Sequence, residues 1–276
     1  MAMIGAKLRL VLEKGLDQFN LKRLNRFVYD SNKFLHACAT RRYARIRGKK
    51  CLVIGCNTGR DCRYFVRLGA REVHGLDIID EIGKDFPHPK VRYHKASCEN
   101  MIGVPGEYYD LIYCYATMEH VPRIDLAFPE MVRVARPGGI IYAFSSPLWH
   151  SKYGHHCKDL LKDPWLHLRY NKDEIIHYCT SRGIQDSAGR KVEGIVNYIF
   201  FSKTFLNREP AKTYINVCNN LQGIQIIKNE LFFEEPKVLT PALKSELGRK
   251  GYAEQDLLAV SHTFVARKLH GEQHPL

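Results

Sequence analysis

Between Lys50 and Asp77 the chain passes through an apolar run, a glycine turn, a helix-like stretch and a second apolar run that ends on an acid. The turn reads Gly55-Cys56-Asn57-Thr58-Gly59, and Asp77 stands 22 residues after Gly55. A parallel α/β sheet builds a nucleotide site in this way: the glycines let backbone approach the ligand, and the later acid takes ribose hydroxyls. The turn lacks the middle glycine of Gly-x-Gly-x-x-Gly, which disfavours a dinucleotide.

The pattern repeats downstream. Residues 51–54, 72–76, 91–94, 111–115 and 140–145 read as strands, and residues 60–68, 124–134 and 172–181 as helices. Arg136-Pro137-Gly138-Gly139 reads as the turn into the fifth strand. Strands and helices alternating across short turns predict an α/β fold with a doubly wound, mostly parallel sheet. The strands are apolar without a period of two, as expected where both faces are covered. Residues 258–267 alternate like a last strand returning to the sheet, after an inserted segment at about 195–255 that mixes helices with a strand.

The 42 Lys and Arg residues exceed the 29 acids, and the imbalance is concentrated at the start of the chain. Residues 1–50 hold 13 of the basic residues against Glu13, Asp17 and Asp30. Apolar residues at spacings of three and four predict a basic helical segment over residues 1–48. Two readings stand for it: a lid or cap with solvated cations, or a surface for an anionic membrane or nucleic acid. The nine cysteines form no Cys-x-x-Cys pair, which suits a reduced, cytoplasmic protein, peripheral to a membrane on the second reading. No apolar run approaches the roughly 20 residues needed to span a bilayer. Residues 271–276 read as a tail.

From the turn onward the chain resembles the class I S-adenosylmethionine-dependent methyltransferases, in their small-molecule branch. Gly55-Cys56-Asn57-Thr58-Gly59 is similar to the family's first turn, and Asp77 matches its ribose-binding acid. Ala96-Ser97-Cys98-Glu99 matches the adenine segment, and Tyr109 to Cys114 the fourth strand. Met118-Glu119-His120-Val121-Pro122 is similar to the family's Glu-His-Val-Pro turn, and Arg136-Pro137-Gly138-Gly139 to its turn before strand five. Val53 departs from the acid often found before the glycine turn, and Asn57 replaces the central glycine. The resemblance covers about residues 50–147 and implies a Rossmann-like, seven-stranded methyltransferase domain over residues 49–270 that uses S-adenosyl-L-methionine. It implies cofactor contacts at Gly55, Cys56, Asn57, Thr58, Gly59, Asp77, Ile78, Ser97, Cys98 and Tyr115.

Methyl transfer to oxygen needs positioning, a dry pocket and a base near neutral pKa, a role for histidine. The loop after the fifth strand, residues 146–170, carries both tryptophans and four of the thirteen histidines. His155 or His156 is the expected general base, with His120 a second candidate. Glu119, Trp149, His150, Tyr153 and Trp165 are expected to line the acceptor pocket. The expected acceptor is a small polar molecule, such as a sugar or biosynthetic intermediate, methylated on a hydroxyl in preference to an amine. His150, His155, His156, Cys157 and Asp159, with Glu119 and His120, offer metal donors, but their spacing fits no settled zinc pattern and no metal is expected. RNA methylation is ranked lower, because Cys114-Tyr115-Ala116-Thr117 stands where base-modifying relatives carry an Asn/Asp-Pro-Pro-aromatic motif. A non-catalytic cofactor-binding scaffold is the third reading.

Overall fold

The computed structural model describes residues 31–158, 160–184, 192–200 and 206–270. The chain divides into two compact units, Met1–Tyr43 and Ala44–Leu276. In the first, residues 31–39 are helical and continue into a 3-10 turn, Thr40–Arg42, whose buried Thr40 hydroxyl donates to the Ala37 carbonyl at 2.6 Å. The rest of the expected basic helices, and the tail at 271–276, lie outside the described residues.

The second unit is built on a seven-stranded sheet: β1 (Lys50–Ile54), β2 (Glu72–Asp77), β3 (Val91–Lys95), β4 (Tyr109–Tyr115), β5 (Ala135–Ser145), β6 (Ile224–Phe233) and β7 (Ala259–Lys268). The strand order is β3-β2-β1-β4-β5-β7-β6. The first five strands are mutually parallel, and β7 runs antiparallel to both β5 and β6. Order reverses on either side of β1, so a crevice opens beyond the carboxyl ends of β1 and β4, where open α/β sheets bind ligands.

Burial explains the strand sequences. Cys51 to Ile54 and Leu111 to Cys114 are all at most 1% exposed, because helices cover both faces of the central strands. Helix α1 (Cys62–Arg67) follows the glycine turn. Helix α2 (Ile124–Val134) buries Ile124, Ala127, Phe128, Met131 and Val134, one face at helical spacing. Each of the larger of these side chains, withdrawn from water, stabilises the fold by about 1.5–3 kcal/mol before entropy is set against it.

The Arg136-Pro137-Gly138-Gly139 turn is a bulge inside β5 instead of a lead-in to it. Tyr109 pairs with Ala135 and the ladder resumes at Leu111 with Ile140, leaving residues 136–139 to protrude. From the bulge Arg136 Nε donates to Asp110 Oδ1 at 2.7 Å, while Asp110 Oδ2 accepts from the Lys50 amide at 2.9 Å. One carboxylate therefore ties β1, β4 and β5 together at their entry ends.

After β5 come α3 (Leu166–Arg169), α4 (Lys172–Ser181), α5 (Val192–Phe200) and α6 (Ala211–Asn219), then β6, α7 (Pro241–Arg249) and α8 (Glu254–Leu258). The expected insertion thus contributes an edge strand to the main sheet. A second apolar cluster, with Trp165, Leu166, Ile175, Leu247 and Leu257, packs these helices on the long loop.

Candidate active site

The glycine turn closes directly on the end of β4. Gly55, Asn57 and Gly59 have φ of 69°, 52° and 94°. A Cβ on Gly55 would lie 2.6 Å from Thr117 Cγ2 and 2.8 Å from Thr117 Cβ, so only glycine fits. Asparagine tolerates the left-handed region better than most residues. Here the Asn57 side-chain oxygen accepts from the Thr58 amide at 2.8 Å, and the turn forms without a central glycine.

Asp77 ends β2 facing the same turn. Its Oδ2 accepts from the Asn57 amide at 2.8 Å and its Oδ1 from the Ile78 amide at 2.8 Å. Ile78 beside it is 64% exposed, an apolar face on offer next to an acid. Ser97 and Cys98 follow β3, with the Ser97 hydroxyl donating to Glu99 Oε2 at 2.9 Å. Tyr115, at the end of β4, stacks on Phe144 with ring centroids 5.4 Å apart. Cys56 and Cys98 are buried, Thr58 half-buried and Asn57 exposed. An exposed apolar residue, an acid and a turn that brings backbone to the crevice fit a nucleoside with an amino-acid tail, which is the shape of S-adenosylmethionine. Val53, in place of an acid, is simply a buried strand residue between Gly75 and Tyr113.

Beyond β4, the 3-10 turn Met118–His120 presents Glu119 and His120. The loop after β5 brings His156 to them: one donor atom from each of Glu119, His120 and His156 lies within 4.8 Å of the others. The two rings meet edge to face at 5.0 Å. Glu119 is 1% exposed, and burial pushes its carboxyl up to about 8 against the opposing pull of backbone amides, among them that of Ser146. Its Oε1 accepts from the Ser146 amide at 3.1 Å, while Oε2 is buried with no hydrogen-bond partner among the described residues. His156 is held in left-handed backbone, φ 61°, and its Nε2–H donates to the Pro147 carbonyl at 3.0 Å. Burial, with His120 alongside, lowers its pKa to about 3, so the ring is neutral at physiological pH.

The other expected site residues are placed differently. His155 is wholly buried against Tyr153 and His167, at 6.1 and 5.0 Å, and its Nδ1 accepts from the Cys157 amide. It points away from the cluster that its neighbour joins, because His156 occupies a left-handed position that turns the chain. Trp165 is also wholly buried, and its indole N–H donates to the His150 and Leu257 carbonyls at 3.1 and 3.3 Å. It serves the second core and walls no open pocket. Trp149 is 7% exposed, with His167 edge to face at 4.6 Å and the Arg208 guanidinium over its ring at 4.8 Å. His150 lies 5.5 Å from Tyr252, and Tyr153 donates from its hydroxyl to the Lys162 carbonyl at 3.3 Å. Of the further metal donors, Asp159 lies outside the described residues. Gly154 is required because a Cβ would overlap the Leu148 and Trp149 carbonyls, and this tight return delivers His156.

Asn207 went unnoticed in the sequence. Its amide nitrogen donates to the Met118 and Val121 carbonyls at 2.7 and 2.9 Å, and its backbone N–H to the Glu119 carbonyl at 2.9 Å. It clamps both ends of the turn that carries Glu119 and His120. Nothing near residue 207 signals this, since the partners are more than 80 residues away in the chain.

Residues 52–143 match a family model described as a methyltransferase domain. A ubiquinone biosynthesis O-methyltransferase from Nitrosospira multiformis is 31% identical over 107 residues, 37% of this chain and 44% of that relative. The chain spans less than half the length of the first curated relatives it matches. Among solved structures, an S-adenosylmethionine dependent methyltransferase from Listeria monocytogenes is 16% identical with a TM-score of 0.50, covering 85% of this chain and 98% of that one. A sarcosine dimethylglycine methyltransferase from Galdieria sulphuraria is 13% identical with a TM-score of 0.51, covering 87% and 86%. At such identity these two speak for the fold alone. Residues 52–143 thus form a methyltransferase domain, on the fold that these S-adenosylmethionine-dependent methyltransferases share.

Proposed function

We propose that this protein is an S-adenosylmethionine-dependent O-methyltransferase acting on a hydroxyl of a small polar acceptor, a sugar or a comparable biosynthetic intermediate. The observation that carries the reading is the convergence of Glu119, His120 and His156 from the segments that follow β4 and β5. The relatives' name as O-methyltransferases supports oxygen as the accepting atom.

In this reading Asp77 takes the ribose hydroxyls, Ile78, Ser97 and Cys98 border the adenine, and the Gly55–Gly59 backbone approaches the amino-acid tail. The bound cofactor supplies a methyl group on a positively charged sulfur, open to in-line displacement. The chain's own contribution is to hold acceptor oxygen and methyl carbon in line, keep water out and make loss of the hydroxyl proton easy. Tyr115 and Phe144, stacked at the ends of β4 and β5, are the apolar pair that would keep water out, and the Glu119–His120–His156 group is where the acceptor hydroxyl is activated. Glu119, on the turn whose carbonyls Asn207 clamps, orients the group.

The test uses purified full-length protein, methyl-labelled S-adenosylmethionine and a panel of sugars and small-molecule extract fractions. Label should move to an oxygen of one fraction in step with S-adenosylhomocysteine formation. His156→Ala should lower turnover by about 100-fold or more while S-adenosylhomocysteine still binds. Failure of the wild type to bind S-adenosylhomocysteine by calorimetry, or undiminished turnover in His156→Ala, would overturn the reading.

A further inference from the structure

Two histidines and a carboxylate that converge from separate segments form a donor set with a chemistry of its own. Glu119 and His120 come from the turn after β4, and His156 from the loop after β5, 36 residues later. Their donor atoms already lie within 4.8 Å of one another. Ligands around a tetrahedral ion with bonds of about 2.0–2.2 Å stand roughly 3.4 Å apart, so closure takes side-chain movement of about an ångström and no backbone change.

Three features prepare the group for a cation. The Glu119 carboxyl is buried, one oxygen held by the Ser146 amide, the other with no hydrogen-bond partner among the described residues. A buried polar oxygen left in that state is costly, and a cation that displaces the carboxyl proton offsets that cost. His156 donates through Nε2 to the Pro147 carbonyl, and histidine ligands of metals are oriented by this kind of outer hydrogen bond. The turn bearing Glu119 and His120 is itself pinned by Asn207 at the Met118, Glu119 and Val121 carbonyls. Two outer supports and a pinned backbone are more than three side chains need in order merely to pack.

We propose that Glu119, His120 and His156 bind a single divalent first-row metal ion, of the zinc, cobalt or iron(II) class, with coordination positions left open. Imidazole and carboxylate donors suit these ions and are unsuited to magnesium or calcium, which favour oxygen alone. Two neutral rings and one carboxylate leave the ion a net positive charge, which favours an oxygen anion at an open position. Only this last use rests on the proposed methyl transfer: an acceptor hydroxyl bound there gives its proton to water, and its oxygen forms the bond to the methyl carbon as the carbon–sulfur bond breaks with its electron pair left on sulfur. The binding itself does not depend on that reading.

The experiment takes untagged protein stripped with chelator and titrates it with Zn²⁺, and separately with Co²⁺ under anaerobic conditions, without cofactor or acceptor. One ion per chain is expected by elemental analysis, with the visible spectrum of protein-bound Co²⁺ reporting nitrogen and oxygen ligation. Glu119→Gln and His156→Ala should each weaken uptake by about 100-fold or more, whereas His150→Gln, outside the group, should leave it within a few-fold. S-adenosylhomocysteine calorimetry on each variant shows that it has folded. Absence of stoichiometric uptake by the wild type, or uptake unchanged in folded Glu119→Gln and His156→Ala, would overturn the site. Metal uptake without any methyl transfer would establish the site and count against the proposed function, so the two are judged separately.

Discussion

Substituting alanine at Gly55 tests whether the glycine turn and the end of β4 are one mechanical unit. Two costs arise from the geometry. The first is backbone: at φ 69° a residue with a Cβ is strained by about 1–2 kcal/mol. The second is steric: the new Cβ would sit 2.6 Å from Thr117 Cγ2 and 2.8 Å from Thr117 Cβ, about an ångström short of ordinary contact. Thr117 cannot simply rotate away, because its own Cβ is part of the overlap and its hydroxyl donates to the Tyr115 carbonyl at 3.1 Å. Gly55 must therefore move, and with it the amides that hydrogen-bond to the Leu76 carbonyl at 2.9 and 3.3 Å. The assay is calorimetric affinity for S-adenosylhomocysteine in a double-mutant cycle with Thr117→Gly, with circular dichroism confirming folding. Gly55→Ala alone should cost more than about 30-fold in affinity; in the Thr117→Gly background only the backbone strain remains, about 5- to 30-fold. Equal costs in the two backgrounds would show that the turn does not lean on Thr117, and the account of this joint would fail.

Two predictions concern stability. His262 on β7 is wholly buried; Asn229 gives its amide N–H groups to the Ile215 carbonyl and Asn219, so its Oδ1 accepts from His262 Nε2 at 2.7 Å and the histidine Nδ1 is left without a partner among the described residues. Burial holds the folded pKa at about 4, below the unfolded 6.5, so the unfolded chain takes up the proton first and stability is lost as pH falls from about 6.5 toward 4. The stability difference between wild type and His262→Gln, from urea unfolding, should shift by about 2 kcal/mol against the wild type between pH 7 and pH 5; a difference independent of pH would refute the assignment. Asn171 caps α4 in a reciprocal box, accepting from the Glu174 amide at 3.0 Å while Glu174 accepts from the Asn171 amide at 2.7 Å. Asn171→Ala should lower stability by about 1 kcal/mol and raise hydrogen exchange in α4, and an unchanged exchange rate there would contradict the capping role.

Features set by local chemistry were legible in the sequence. The apolar runs of β1 to β5, the face of α2 and the bounds of α4 follow from periodicity and capping, which depend on neighbours a few residues away. The glycine turn and Asp77 were legible as well, because positive φ and an acid after the second strand are demands that the backbone places on residue type at fixed spacing. The merging of the Arg136–Gly139 segment into β5 as a bulge was not, since it depends on which residue of β4 lies opposite.

The candidate site divides along the same line. Composition alone marked the loop after β5 as rich in histidine and aromatic residues, but it could not rank His155 against His156 or Trp149 against Trp165. Adjacent residues differ in direction by their backbone angles, and only the tertiary structure, through the tight return at Gly154 and the left-handed His156, sends one ring to Glu119 and the other into the core. Asn207, distant in sequence and unmarked by any motif, acquires its role from chain folding that no local pattern encodes. The sequence by itself determined the sheet, the glycine turn and the acid that faces it; the tertiary structure decided which side chains meet beyond them, because that choice rests on long-range packing and on hydrogen bonds that exist only once the chain is closed.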